Sequence, residues 1–204
     1  ADSEEAKNNL REGIITSTVQ KDIIERYNPS NPAMLSKIVE YARLNSSNYF
    51  NLKVIADVLN NQKKRNDSIS SIMVEKYTHY LQSVYFLHEC SVFSYRKKDV
   101  LNRSNRKFYL NDHGMALFNS EFEKGRILEN VIYMELTKSG YSIKTYLAYK
   151  NENLEVDFVA QRGEKTLFVQ VAWMLGDKNE NKELYDREFG NLTSVSEPGD
   201  RVLV

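Results

Sequence analysis

One cysteine, three prolines and eight glycines are all that this chain of 204 residues holds of the residue types that staple, break or loosen a backbone. A lone Cys90 closes no internal disulfide, so a stapled secreted scaffold is excluded and a reducing compartment, the cytoplasm, is expected. Long apolar runs are missing as well. The longest, from Val84 to Phe93, is interrupted by His88 and Glu89, far short of the roughly 20 apolar residues of a spanning helix, so no membrane partner is expected. Neither charge is in excess: 28 Lys and Arg face 28 Asp and Glu, so no whole-molecule field draws the chain to nucleic acid or anionic lipid. Any such affinity has to come from a local patch. Internal repeats and low-complexity tracts are absent, which removes solenoids and flexible tails from the choices.

What is present describes a folded chain. With 41% hydrophobic and 27% charged residues it can bury a core throughout, and its length suits two small domains. Residues 1–30, with Leu10, Ile14, Ile15, Ile23 and Ile24 among charges, predict one or two amphipathic helices linking to an upstream module. Pro29 and Pro32 interrupt, and Asn31 is placed to cap a helix whose apolar face is Leu35, Ile38, Val39 and Ala42. A second helix is expected over Leu52 to Asn60. Asn66, Asp67 and Ser68 offer a cap for a third, carrying Ile69, Ile72, Met73, Tyr77, Tyr80, Leu81 and Val84. Strands at Cys90 to Tyr95 and Lys107 to Leu110, joined by a charged loop, follow. Three helices and a hairpin predict a winged helix over residues 31–114.

Residues 115–204 read differently. An apolar helix from Phe122 to Ser139 stops at Gly140, strands follow at Tyr141 to Leu147, Leu154 to Ala160 and Thr166 to Trp173, and a helix at Lys178 to Asn191 precedes a strand at Arg201 to Val204. The expected class is α+β or α/β: a helical winged-helix domain followed by a restriction-endonuclease-like mixed sheet. The chain lacks a starting methionine and stops inside the last strand, so it reads as an excised piece, its second domain cut short at the C-terminus.

The order helix, three strands, helix, strand, together with Gly125-Arg126-Ile127-Leu128-Glu129-Asn130, Leu154-Glu155-Val156-Asp157-Phe158-Val159 and Phe168-Val169-Gln170-Val171-Ala172-Trp173, is similar to the PD-(D/E)XK fold of restriction and repair nucleases. The resemblance implies that a helix glutamate, a strand aspartate and a Glu-x-Lys pair converge on magnesium, which polarises phosphate and lowers the pKa of the attacking water. Glu129 and Asp157 match, but Gln170 and Ala172 stand where the pair belongs. An amide is a weaker ligand than a carboxylate and a methyl group carries no charge, so the site is expected to be a degenerate remnant with no catalytic residue and no bound metal. Glu155, on the strand face of Asp157, is the alternative ligand that would rescue an active magnesium-dependent DNA endonuclease.

The chain as a whole resembles the region of unknown function that follows the ATPase module in bacterial and archaeal AAA-superfamily P-loop ATPases. The matching strings are Lys21-Asp22-Ile23-Ile24-Glu25-Arg26-Tyr27, Phe108-Tyr109-Leu110-Asn111-Asp112-His113-Gly114, Leu128-Glu129-Asn130-Val131 and Val169-Gln170-Val171-Ala172. No Gly-x-x-x-x-Gly-Lys-Ser/Thr loop occurs in the sequence, so the resemblance implies that ATP and magnesium belong to the upstream module.

A winged helix places its third helix in the major groove of double-stranded DNA and its wing on the backbone. The cations available are Lys63, Lys64 and Arg65 before the helix and Arg96, Lys97, Lys98, Arg103, Arg106 and Lys107 in the wing. The face formed by Ser70, Ser71, Glu75, Thr78 and His79 is not basic, which predicts weak base readout. The same surfaces suit a protein-interaction module or a homo-oligomer without DNA. His79, His88 and His113 lack metal-ligand spacing. Trp173 is expected to pack under a helix, and Glu129 to bond Gln170 or a backbone amide.

Overall fold

The computed structural model describes residues 3–61, 68–93, 106–117, 123–147, 155–173 and 182–204. Contacts divide the chain into two compact units, residues 1–89 with 108–118 and residues 90–107 with 119–204.

In the first unit, α1 (Glu4–Ser17) starts at Ser3, whose hydroxyl accepts the Ala6 amide while Glu4 and Glu5 face the positive end of the helix. It continues through a π-helical stretch, Thr18–Ile24, into a single turn, α2 (Glu25–Tyr27), which ends at Asn28 in the left-handed conformation. Ile15, Val19 and Ile23 recur every four residues and are buried in the core, so this opening segment is part of the unit and not only a link. Next comes α3 (Pro32–Leu44), with Pro32 in its first turn and the Asn31 side chain accepting the Met34 amide, as the sequence predicts.

Helices α4 (Leu52–Asn61) and α5 (Ser71–Ser83) follow, and Leu35, Ile38, Ile55, Val74 and Leu81 close the core between α3, α4 and α5. The cap of α5 differs from the expected one: Ser70 accepts the Met73 amide, and Ile69 lies buried before the helix. Ile72 is 77% exposed, off the apolar face assigned to it. Thr78, expected on the outer face, is buried, its hydroxyl donating to the Val74 carbonyl.

The strands are β1 (Leu87–Phe93), β2 (Arg106–Leu110), β3 (Ser142–Leu147), β4 (Glu155–Arg162), β5 (Lys165–Gln170) and β6 (Asp200–Leu203), in the order β2-β1-β3-β4-β5-β6. β1 runs parallel to β3 and β5 to β6, whereas β3, β4 and β5 are antiparallel neighbours, so the sheet is mixed and the chain α+β. Among the described residues of the second unit are the helices α6 (Lys124–Lys138) and α7 (Lys182–Thr193). α6 ends where Gly140 takes φ +78, a conformation open to glycine. A second core gathers Tyr146, Val156, Val159, Phe168, Leu192 and Val195.

β5 is shorter than expected and ends at Gln170. Beyond it the Val171 amide donates to the Asp157 carboxylate and leaves the ladder, while the Ala172 amide turns to the Val204 carbonyl. Trp173 lies in a turn, 43% exposed, beside the start of α6, with the Lys124 ammonium 5.6 Å from its ring centroid. No helix among the described residues is long and apolar enough to cross a membrane.

Candidate functional site

The chemistry in the second unit gathers around a bulge in β4. Lys144 pairs with Val159 and Tyr146 with Val156, so two steps along β3 oppose three along β4, and β4 carries one residue too many. Side-chain alternation breaks there. Val156 and Val159, an odd number apart, share one core cluster, while Phe158 meets the Tyr133 ring of α6 at 5.9 Å between centroids. The Asp157 carbonyl takes a hydrogen bond from the fully buried Thr145 hydroxyl, 2.8 Å.

Into this corner β2 sends Lys107. Its ammonium lies 2.8 Å from Glu155 Oε1, 3.1 Å from Glu129 Oε1 and 3.6 Å from Asp157 Oδ1, joining α6 and β4 to β2. The lysine is 5% exposed, Asp157 8% and Glu129 9%. Burial alone pushes the Lys107 ammonium down, but the carboxylates of Glu129, Asp157 and Glu155 more than reverse this and hold it well above the ordinary lysine value. The Asp157 carboxyl is pushed up to about 7, by burial first and by the Glu129 charge second, which together outweigh the pull of Lys107 and of the Val171 amide.

Gln170 has become a structural tie. Its Oε1 accepts the Asp157 amide at 3.3 Å and its Nε2 donates to Glu188 Oε2 at 2.6 Å, and Arg187 holds the other oxygen of Glu188. Glu129, expected to bond Gln170 or a backbone amide, accepts a hydrogen bond from Lys107.

The residues expected at the site thus come together in part. Glu129, Asp157, Glu155 and Gln170 meet, while Ala172 lies past the end of β5 and brings no charge. Lys107, Thr145, Arg187 and Glu188 were not foreseen here; the signal for Lys107 is its place next to the apolar run Phe108–Leu110, in a strand buried along its length. Arg106 and Lys107 were expected as wing cations facing DNA. Both are buried, at 6% and 5%, instead of standing out toward solvent. Lys63, Lys64, Arg65, Arg96, Lys97, Lys98 and Arg103 lie outside the described residues.

A divalent ion needs several oxygens at roughly 2.0–2.6 Å around one point. Here the Lys107 ammonium stands among the three carboxylates, and among the described residues no group of three His, Cys, Asp or Glu is arranged to hold a metal. The donor set does not fit magnesium. What it does chemically is neutralise: one cation offsets buried carboxylates and fixes α6 and β4 to β2.

The first unit holds a separate open cavity of about 460 Å³ between α1, the π-helical stretch and α3, floored by Ile15, Val19 and Val39. Arg43 forms one wall, bonding both oxygens of Glu12 and the Met115 carbonyl.

Compared with known families, residues 1–124 match one described as a domain of unknown function, DUF8612. The chain belongs to the DUF8612 family. That match contains Lys107 but ends before Glu129, Asp157 and Gln170. Similarity to longer proteins runs through both units of this DUF8612 chain. An uncharacterized protein of Methanocaldococcus jannaschii is 31% identical over 94% of the chain and 43% of its own length, and one of Haemophilus influenzae is 24% identical over 98% and 48%. The DUF8612 chain thus spans less than half the length of both relatives.

Proposed function

We propose that this chain is the part of an AAA-superfamily P-loop ATPase that follows the ATPase module, with a winged helix for double-stranded DNA and a nuclease-like unit that binds without cutting. The observation that carries the non-cutting reading is the Lys107 ammonium among Glu129, Glu155 and Asp157. With Gln170 bonded to Asp157 and Glu188, and no charge at Ala172, neither of these two positions is left to hold a metal-bound water in line with a phosphate. The order α3, α4, α5, β1, β2 supports the winged helix, and the length of the relatives leaves room for the ATP- and magnesium-binding module. Cys90, the single cysteine and a buried one, suits the cytoplasm.

Incubation of the purified chain with supercoiled plasmid and magnesium or manganese is expected to leave the plasmid intact. Nicking abolished by Asp157→Ala overturns the reading. A second reading, a magnesium-dependent endonuclease, draws on the same lysine: Lys107 stands 3.6 Å from Asp157 and supplies, from another strand, the charge missing at Ala172. Nicking that Lys107→Ala also abolishes is the result it requires.

A further inference from the structure

We propose that Lys107 is the resident cation of this acidic site and that it keeps the site closed to divalent metal ions. The proposal rests on the non-cutting reading and adds to it a reason located in one side chain. Its ammonium hydrogen-bonds Glu129 and Glu155 and faces Asp157, so one nitrogen takes up the point at which the three carboxylates converge. A divalent ion that used those oxygens would have to occupy the same space. Leaving is difficult for the lysine: its side chain is 6% exposed, its strand is buried along its length, and swinging away would strand three carboxylates together, two of them buried. Nor does the neighbouring amide offer a substitute ligand, because Gln170 Oε1 is taken by the Asp157 amide and its Nε2 by Glu188. The three carboxylates are thus turned inward onto an ammonium.

The test is manganese binding, followed by electron paramagnetic resonance on the full chain. Wild-type protein is expected to bind no manganese up to about 1 mM, the weak end of protein sites for hard cations. Lys107→Met, which keeps the length of the stem and loses the charge, is expected to bind at least about tenfold more tightly than wild type, and adding Asp157→Asn is expected to abolish the gain. The proposal fails if wild type binds manganese below that concentration and loses it on Asp157→Asn, or if a folded Lys107→Met binds no better than wild type. Lys107→Gln replaces Lys107→Met if circular dichroism shows that the latter does not fold. Should neither fold, the wild-type melting curve decides, followed by Trp173 fluorescence: a midpoint unmoved by manganese supports the resident cation, and a rise that Asp157→Asn removes overturns it. Wild-type binding without plasmid nicking defeats this inference and leaves the non-cutting reading standing, whereas nicking that depends on Asp157 defeats that reading itself.

Discussion

A buried ammonium facing three carboxylates is stable only as a set. Removing the cation takes from Glu129 and Asp157 the charge that favours their ionised forms in a site less than a tenth exposed, and breaking a buried pair costs about 3–5 kcal/mol. Lys107→Met is therefore expected to lower the unfolding free energy of the second unit by about that amount, read from the fluorescence of Trp173 in a urea titration. The pH dependence follows from Asp157. Its carboxyl titrates near 7 in the folded chain and near the ordinary aspartate value when unfolded, so the folded state holds a proton that the unfolded state releases first. Stability from this group is complete below about pH 4 and lost as pH rises through about 7. Asp157→Asn is expected to flatten that part of the stability curve. Lys107, raised, has the same sign at higher pH: its contribution holds below the ordinary lysine value of about 10.5 and declines above it.

At the scale of elements, the bulge in β4 decides where Asp157 points, and Thr145 decides whether the bulge is tolerated. The fully buried Thr145 hydroxyl satisfies the Asp157 carbonyl, so Thr145→Val is expected to leave a buried acceptor unpaired and cost about 1–3 kcal/mol, measured by chemical denaturation. In the first unit, Asn60 plays a comparable part. Its side chain donates to the Ile69 carbonyl and accepts the Ile69 amide at 2.9 and 2.7 Å, tying the end of α4 to the approach of α5. Much of this level was legible in the sequence. Pro32 and Asn31 announced the start of α3, Gly140 the end of α6, and the mixture of periods separated the helices from the strands. The candidate site was half legible: Glu129, Asp157 and Gln170 follow from motif spacing, but Lys107 meets its partners across 22 to 50 residues of chain, and a cation next to a charged loop reads as exposed. A bulge leaves no mark in composition, so the redirection of Phe158 was invisible as well.

For the whole molecule, the balance of 28 basic and 28 acidic residues means that DNA affinity, if the proposed winged helix supplies it, comes from a few local cations and fades with salt. Burial removes Arg106 and Lys107 from that set, so charge reversal at either position would test folding instead of binding. The informative variant keeps both and changes the sequence between β1 and β2. Arg96→Glu with Lys97→Glu and Lys98→Glu is expected to weaken retardation of a random duplex at low salt. The same change should make the slope of log affinity against log salt shallower, by about 0.9 for each phosphate that is no longer neutralised. Circular dichroism and the Trp173 emission should stay as in wild type. If the affinity and its slope are unchanged in a variant that folds normally, phosphate is not met there. A wild-type chain that fails to retard DNA even at low salt leaves a docking surface for protein as the better account of the proposed winged helix. Uniform loss across unrelated duplex sequences is the signature that distinguishes phosphate binding from base readout, and the non-basic outer face of α5, with Ile72 exposed, predicts that signature.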